Sequence, residues 1–288
     1  MDYEFRLLTH DDYEEVKEMC KDIWDGTDYM PLVFHDWVDD EKGEFFCIID
    51  KAKNKIAGIS KFSILPEHMG WLEGLRVHEE YRGQKLARRI QEYMSELANK
   101  YLEEGKVNKL GACTHLNNAA SRKMLESSGF ELEQQHMIVM KPYEENNAVI
   151  TTKSFVVTRW KPTLEEFMNL DYFKSRDMVF HCDFTFMDVT EELYDILIKK
   201  DAFWEINGKK GIIYYKVETC FVAIDEDLDT IETFSDYLYQ KNKTGFTPYT
   251  TVNLKKPQLL ENLKTNGYIT WSDWKMDYFY YLKNKASS

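Results

Sequence analysis

A strand, a basic loop and a helix follow one another directly within residues 71–90. The apolar run 71–77 predicts a buried strand, and the polar residues 78–80 predict a turn after it. Beyond the turn, apolar side chains recur with the period of one helix face. These side chains are Leu86, Ile90, Tyr93, Met94, Leu97 and Tyr101. The loop 81–87 is therefore expected at a helix N-terminus, where free N–H groups and the helix dipole favour an anion.

Positive charge supports this interpretation of the loop. Four basic side chains, Arg82, Lys85, Arg88 and Arg89, surround it in a chain whose net charge is −13. The sequence contains neither G-x-x-x-x-G-K-[ST] nor G-x-G-x-x-G, which argues against a P-loop or a Rossmann site. It also lacks H-E-x-x-H and G-x-S-x-G, the signatures of zincin proteases and of esterases.

The composition indicates a globular protein of one large or two ordinary domains. The chain has 288 residues, of which 43% are hydrophobic and 30% charged. Its acidic balance argues against nucleic-acid binding, which depends on neutralising phosphates with Lys and Arg. No apolar run approaches the roughly 20 residues that span a bilayer, so no membrane partner is expected.

The cysteines and the N-terminus predict a cytoplasmic protein. The five cysteines have neither metal-ligand nor redox spacing, so they are interpreted as reduced thiols and no metal is expected. They are Cys20, Cys47, Cys113, Cys182 and Cys220. The first residues are charged and do not resemble a signal peptide.

Periodicity along residues 3–141 predicts the order β α α β β β α β α β. This order is typical of an α/β (α+β) fold with a mixed, mostly antiparallel sheet flanked by helices. The prediction includes a helix over 84–102 and, at the end, a pair of strands that starts at Phe130 and finishes with 137–141.

A polar break at 142–148 predicts two domains, 1–145 and 146–288. The halves end alike, since Ser128-Gly129-Phe130 and Asn266-Gly267-Tyr268 each precede strands. This suggests a weak internal duplication, although two α/β endings can also coincide by chance. The second half has an acidic segment, 225–230, where the first has its basic loop. Its other elements include a strand predicted over 211–224.

The loop sequence carries a family resemblance. The residues from Val77 to Ala87 resemble the acetyl-CoA loop of the GCN5-related N-acetyltransferases, the GNAT superfamily, with the pattern [QR]-x-x-G-x-[GA]. Arg82 and Ala87 match this pattern, Gly83 supplies one flexible position, and Lys85 replaces the middle glycine.

A second family signature follows farther along the chain. Asn118 is followed by Ser121, by Leu125 seven residues on and by Gly129-Phe130. The family often has a Tyr at the position of Leu125, where it protonates the departing thiolate, and leucine cannot do so. The resemblance covers residues 3–141 and implies a GNAT fold followed by a second, degenerate GNAT-like half without the pyrophosphate loop.

A narrower resemblance points to an amino-acid substrate. The stretches 23–31, 34–37 and 72–77 resemble the histidine N-acetyltransferase group, whose members also carry a second, degenerate acetyltransferase-like half. This resemblance implies acetylation of the α-amine of an amino acid such as histidine.

The resemblance also implies a binding site for acetyl-CoA as cosubstrate. Backbone N–H groups of 82–87 would hold its pyrophosphate, and the end of the strand before the loop would pair with the pantetheine arm. Lys85 either adds a charge or points to solvent, and Asn118 either contacts the cosubstrate or caps a helix. The implied acetyl-CoA residues are Leu75, Arg76, Val77, Arg82, Gly83, Gln84, Lys85, Leu86, Ala87, Asn118 and Ser121.

Glu73 is the candidate catalytic base or amine ligand. It lies two residues before Leu75 on the same strand face, within an apolar run where a carboxylate needs a partner. A base acting through water and an ordinary exposed carboxylate are the alternatives. His115 is a candidate proton relay, or a histidine without a catalytic role.

The segment 24–37 is the candidate cover over the acceptor. Asp28, Tyr29 and His35 are predicted to bind substrate, together with Trp37. Core packing of the aromatic rings and turn capping by aspartate are the alternatives.

The predicted function is an acetyl-CoA-dependent N-acetyltransferase, an acyltransferase that acts on a primary amine of a small molecule. Amino acids compete with aminoglycosides, polyamines and protein amines as acceptors. The alternative class is a non-catalytic acetyl-CoA-binding or regulatory protein. We expect a monomer or a homodimer.

Overall fold

The computed structural model describes residues 2–143, 152–214, 220–241 and 247–284. These residues form two compact units. Unit 1 holds the described residues of Met1–Cys113, Ala119–Leu132 and Tyr281–Ser288, and unit 2 holds those of Thr114–Asn118 and Glu133–Tyr280. The predicted boundary between residues 145 and 146 lies outside the described residues.

The first five strands follow the chain in order across one sheet. They are β1 (Tyr3–Leu7), β2 (Glu44–Asp50), β3 (Lys55–Leu65), β4 (Met69–Val77) and β5 (Lys109–His115). Strands β1 to β4 pair antiparallel with their neighbours, and β4 pairs parallel with β5. The parallel pair is possible because the intervening helix returns the chain to the same end of the sheet.

The helices of the first part are amphipathic. They are α1 (Tyr13–Cys20), α2 (Met30–Val38), α3 (Leu86–Glu103) and α4 (Ala119–Ser127). Helix α3 buries Leu86, Ile90, Met94, Ala98 and Leu102, one face of a 3.6-residue period, and packs on β3 and β4. The periodicity that predicted a helix over 84–102 thus identified it within two residues at either end.

The remaining elements again alternate between strands and helices. They are β6 (Glu131–Met140), β7 (Val157–Thr158), α5 (Leu164–Met168), α6 (Asp171–Lys174), β8 (Val179–Cys182), β9 (Thr185–Asp188), α7 (Glu191–Lys199), β10 (Phe203–Ile206), β11 (Lys209–Ile213), β12 (Phe221–Ala223), α8 (Leu228–Lys241), β13 (Tyr249–Val252), α9 (Pro257–Thr265) and β14 (Tyr278–Asn284). A second sheet has the order β12-β11-β10-β7, β8 pairs with β9, and β6 pairs antiparallel with β13. The predicted mixed fold with a mostly antiparallel sheet is confirmed, and the internal duplication stays a prediction.

Two strand predictions were wrong. The strand predicted over 211–224 is two strands, because Gly211 pairs with Ala223 and the chain must reverse between them. The pair of strands predicted from Phe130 onward is the single strand β6. Both errors arise because alternation along the sequence does not show where a chain turns. Within the described residues, we find no helix that is both long and apolar enough to cross a bilayer.

A buried carboxylate, Asp277, stands out within unit 2. Its side chain is 0% exposed, and its Oδ1 accepts a long hydrogen bond of 3.4 Å from the backbone N–H of Ile138. Its Oδ2 has no hydrogen-bond partner in the described part of the chain. Burial raises the pKa of Asp277 to about 6, although nearby backbone N–H groups oppose the shift.

We predict that Asp277→Asn stabilises the protein above pH 6 and has little effect near pH 4. The folded-state pKa lies above the unfolded value, so the stabilising contribution of this group is present below about pH 4 and is lost as pH rises through about 6. At roughly 1.4 kcal/mol per pKa unit, the gain above pH 7 reaches up to about 3 kcal/mol. Thermal and urea unfolding between pH 4 and 8 measure it.

The matched control is Asp273→Asn, which changes an exposed carboxylate in the same segment. It should change the free energy of unfolding by only a small amount, because the side chain is exposed in the folded protein. An Asp277→Asn effect that did not depend on pH would contradict the assignment of a raised pKa.

Candidate active site

Strand β4 parts from β5 halfway along its length. Their parallel register runs from Met69↔Lys109 to Leu72↔Ala112, whereas β4 continues to Val77. On its other side, β4 keeps its pairing with β3 as far as Val77. Among the described residues, the edge of 73–77 that faces away from β3 therefore has no paired strand. Such an edge offers backbone donors and acceptors to an extended ligand that contains amides.

A β-bulge marks the place where β4 parts from β5. The register with β3 shifts between Ile59↔Arg76 and Lys61↔Glu73, so two residues of β4 lie opposite one of β3. One of the two, Gly74, has a φ of +72°, and a Cβ there would come within 2.6 Å of the Trp37 ring. Glycine is required at this position for both reasons.

Glu73 lies immediately before the bulge and is half-buried. Its Oε1 accepts a hydrogen bond of 2.6 Å from the hydroxyl of Ser63, and its carbonyl accepts one of 3.1 Å from Ser60. Opposite it in the register is Lys61, whose buried ammonium lies 2.5 Å from an Asp40 oxygen. These bonds fix the carboxylate beside the open part of β4.

A buried ion pair joins the segment before α2 to the end of β4. The Asp28 carboxylate accepts from Arg76 Nε at 2.8 Å and from Nη2 at 3.1 Å. The Asp28 and Arg76 side chains are only 1% and 11% exposed, and the guanidinium lies 4.7 Å from the Trp24 ring centre and 5.3 Å from that of Tyr29. Both oxygens of Asp28 are thus engaged by Arg76, and its predicted contact with substrate stays a prediction.

Of the residues predicted to cover the acceptor, Tyr29 and Trp37 come close to this part of β4. Their ring centres are 6.1 Å apart, and Trp37 lies against Gly74. Burial raises the pKa of Tyr29; the Arg76 guanidinium opposes this, and the Glu73 carboxylate reinforces it. His35 lies on the exposed side of α2, where its Nδ1 is 2.8 Å from that of His10. The structure therefore brings Tyr29 together with Glu73, and places His35 with His10.

The predicted anion loop has free backbone donors. Its first part is fixed by Tyr81, which is buried and donates a hydrogen bond of 3.1 Å to Asp50. Helix α3 begins at Leu86. Within residues 83–87, every backbone N–H group except that of Gln84 donates to no protein group among the described residues, as expected where a helix begins. These groups belong to Gly83, Lys85, Leu86 and Ala87.

The backbone of Lys85 explains why the chain departs from the family pattern here. Lys85 has a φ of +62° and is exposed, and Gly83 two residues earlier has a φ of +79°. The loop keeps the left-handed conformation that favours glycine, and the lysine adopts it at a cost of roughly 1–2 kcal/mol. Lys85 thus occupies, at the place of the pattern's middle glycine, a backbone conformation that glycine adopts readily.

The second signature lies at the start of α4. Asn118 is exposed and directly precedes the helix, its N–H donates to the carbonyl of His115 at 2.9 Å, and Ser121 follows in the first turn. Leu125 is 4% exposed and belongs to the core. Because Leu125 is buried and has no ionisable group, it cannot protonate a thiolate.

His115 belongs to unit 2, whereas Glu73 belongs to unit 1. The His115 ring is half-buried; Nδ1 accepts from the N–H of Asn117 at 3.1 Å, and Nε2 lies 3.4 Å from the hydroxyl of Ser272. Burial lowers the pKa of His115, which favours a neutral imidazole. A neutral ring is the form that accepts a proton.

Three contacts within the candidate site were missed by sequence reasoning. They are the hydrogen bond from Ser63 to Glu73, the Asp28–Arg76 ion pair and the bond from Tyr81 to Asp50. Each joins residues of different elements. Only the contact of Ser63 had a signal in the sequence, because the two-residue period of a strand places Ser63 on the same face as Lys61.

Comparison with known protein families identifies the family that this part of the chain matches. Residues 9–130 match the family model described as Acetyltransferase (GNAT) family. This part of the chain is a GNAT domain. The match includes β4, the bulge, the anion loop and the second signature.

Two curated proteins resemble the chain in sequence. Histidine N-acetyltransferase from Oreochromis niloticus is 28% identical over 108 residues, and that from Xenopus tropicalis is 29% identical over 109 residues. These matches cover 37% and 38% of this chain, and 32% and 33% of the relatives. The similarity thus spans about a third of the length of each relative.

Two solved structures resemble the chain over nearly its whole length. A proposed acetyltransferase from Pyrococcus horikoshii has a TM-score of 0.58 at 11% identity and covers 98% of this chain and 89% of its own. Another, from Thermoplasma acidophilum, has a TM-score of 0.53 at 17% identity and covers 96% of this chain and 89% of its own. At these identities the likeness shows the fold alone, and it includes residues beyond the GNAT domain.

We predict that Asp28→Asn destabilises the GNAT domain by about 3–5 kcal/mol, because it leaves the Arg76 charge buried without its anion. Urea unfolding measures the change. Glu92→Gln, which breaks the exposed pair between Arg88 and Glu92, should cost no more than about 1 kcal/mol. Equal losses for the two variants would contradict the importance of the buried pair.

We predict opposite outcomes for two substitutions of Lys85. Lys85→Gly should keep acetyl-CoA affinity within about threefold and preserve stability, since glycine adopts a positive φ readily. Lys85→Val should weaken both, because a β-branched residue is strained there. Isothermal titration with acetyl-CoA and thermal unfolding compare them. Equal behaviour of the two variants would show that the left-handed conformation is not needed.

Proposed function

We propose that this chain is an N-acetyltransferase that moves the acetyl group of acetyl-CoA to the α-amine of a free amino acid such as histidine. The observation that carries the proposal is the open edge of β4, which has Glu73 at its start and four free backbone N–H groups in the loop that follows. The family match and the named relatives support the same chemistry.

The anion loop would hold the cosubstrate by its pyrophosphate. The free N–H groups of 83–87 and the N-terminal end of α3 supply donors and positive potential for phosphate oxygens. Arg82 and Lys85 add charge at its surface. The backbone of 75–77 would pair with the amides of the pantetheine arm, and Asn118 and Ser121 would complete the binding of acetyl-CoA.

The transfer itself needs a base and donors for an oxyanion. Glu73, directly or through a water molecule, would take the proton from the ammonium form of the acceptor so that the neutral amine attacks the thioester carbonyl. Backbone N–H groups at the open end of β4 would stabilise the oxyanion that forms. The intermediate then expels the CoA thiolate. His115 would relay a proton, and water would protonate the thiolate because Leu125 cannot.

The acceptor would lie beside the aromatic rings that adjoin the bulge. Tyr29 and Trp37 form one wall there, and the ion pair of Asp28 with Arg76 holds the segment that carries them. The histidine N-acetyltransferase relatives favour an amino acid over an aminoglycoside, a polyamine or a protein amine. We place the protein in the cytoplasm, with neither nucleic acid nor membrane as a partner.

One observation favours a second function, binding of acetyl-CoA without catalysis. Leu125 is buried in the core at the position where the family often has a tyrosine acid. A protein of this kind would bind acetyl-CoA through the same loop and would release no thiol.

We predict that acetyl-CoA raises the melting temperature and that free amino acids cause steady release of free CoA thiol. Among acceptors, α-amino acids including histidine should outperform aminoglycosides and polyamines. A thiol-release assay across these compounds measures the rates. Binding without thiol release for any amine would favour the second function, and no binding at all would refute both.

Glu73→Gln should then lower kcat by about 100-fold or more, because a general base contributes roughly that factor. The affinity for acetyl-CoA should stay within about twofold. Glu44→Gln, at the start of β2 two strands away in the same sheet, is the control and should retain the wild-type rate. A wild-type rate for Glu73→Gln would remove this residue from the mechanism.

A further inference from the structure

Three potential metal ligands meet inside unit 2. The three residues are buried, with Cys182 3% exposed, Asp183 2% and Cys220 1%. Their two sulfur atoms and one carboxylate oxygen all lie within 4.8 Å of one another. Within the described part of the chain, no other group of three such side chains meets this distance.

The fold, not the sequence spacing, assembles these ligands. Cys182 is the last residue of β8, and Asp183 begins the two-residue turn to β9 with a φ of +51°, a conformation that aspartate tolerates. Cys220 lies directly before β12 and forms an isolated parallel bridge with Tyr249. The thirty-odd residues between the two cysteines conceal the site from a motif search, which is why the sequence predicted no metal.

Neighbouring groups orient the ligands. The hydroxyl of Tyr249 donates to Asp183 Oδ1 at 3.2 Å, and the hydroxyl of Tyr278 donates to the Asp183 carbonyl at 3.2 Å. The Cys182 thiol donates to the carbonyl oxygen of Tyr214 at 3.0 Å, a proton that it would release on binding a metal, so the two tyrosine hydroxyls are the groups that hold the ligands in place. Hydrogen bonds of this kind fix ligand geometry around protein-bound metals.

Aromatic rings line the surroundings. The ring centre of Trp271 lies 6.3 Å from that of Phe184, 6.2 Å from that of Tyr249 and 6.2 Å from that of Tyr278. The three ligands are thus buried from bulk solvent. In such surroundings a carboxylate and two thiolates are costly unless a cation neutralises them.

We propose that Cys182, Asp183 and Cys220 bind one zinc ion. Zinc prefers thiolate sulfur at about 2.3 Å and carboxylate oxygen at about 2.0–2.2 Å, with tetrahedral angles. Two sulfurs so placed are roughly 3.8 Å apart, which agrees with the limit of 4.8 Å found here. Magnesium and calcium prefer all-oxygen sites, so the two sulfurs exclude them. On binding, both thiols release their protons, and water occupies the fourth position.

The ion would join the β8–β9 hairpin to the start of β12. Both lie in unit 2, so the metal contributes to the stability of this unit. The test of this site does not depend on activity.

The experiment measures zinc content and metal-dependent stability of the full chain. Protein purified under reducing conditions without chelator should contain about one zinc per chain by elemental analysis. After chelation, cobalt(II) should produce the near-ultraviolet charge-transfer band of a cobalt–thiolate bond. Zinc should raise the melting temperature of the metal-free protein, as expected for a ligand that binds the folded state.

Two substitutions and a control assign the ligands. Cys182→Ala should abolish the cobalt–thiolate band and the zinc-dependent rise in melting temperature. Asp183→Asn, which keeps the shape of the side chain and both thiols, should weaken zinc binding at least tenfold. Cys47→Ala removes a buried thiol in β2 and should behave like the wild type in both measurements.

Two outcomes would overturn the proposal. One is wild-type protein that neither retains zinc nor responds to micromolar zinc or cobalt. The other is a band that persists unchanged in Cys182→Ala. A Cys182–Cys220 disulfide detected by mass spectrometry in protein kept under reducing conditions would also overturn it, since a disulfide cannot ligate zinc as two thiolates.

Discussion

The candidate site depends on one constraint of backbone hydrogen bonding, namely that β4 loses its partner β5 after Leu72. A strand edge without a partner is costly in a protein interior and useful where a ligand supplies the missing bonds. The bulge at Gly74 redirects the chain at this point, and the anion loop follows it directly. Glu73, the open edge and the loop therefore form one continuous stretch of backbone, along which the cosubstrate proposed above would lie.

Burial of charge is the second theme of the molecule. Asp28 with Arg76 and Lys61 with Asp40 are paired inside the GNAT domain, whereas Asp277 in unit 2 keeps one oxygen without a partner in the described part of the chain. Paired charges of this kind contribute little net stability, yet they are expensive to break. They specify one arrangement of the segment before α2 against β4, and the aromatic wall beside Glu73 depends on that arrangement.

The fold was predictable from the sequence to the extent that it follows local periodicity. The face of α3 and the glycine turns after α4 and α9 were visible as patterns, and so was the anion loop. The errors at β6 and at β11 with β12 share one cause, since the sequence pattern does not show where a strand is interrupted: a break was predicted within the continuous β6, and none was predicted between β11 and β12. The candidate site was predictable where it lies on one stretch, such as Glu73 with the loop. It was not predictable where it depends on which residues of two strands lie opposite each other, as with Ser63 and Glu73. Nor was it predictable where residues far apart in the sequence come into contact, as Asp28 does with Arg76. The same holds for Cys182 and Cys220 in the proposed metal site.

The left-handed conformation of Lys85 has a consequence for how such loops are recognised. The loop imposes a backbone angle there rather than a residue type, and glycine is only the residue that meets it most cheaply. Asparagine and aspartate, which also tolerate positive φ, are then admissible at this position, while valine and isoleucine are not. A search pattern that specifies the conformational class instead of the glycine would accept this chain, and would still reject loops that cannot present their N–H groups to a phosphate.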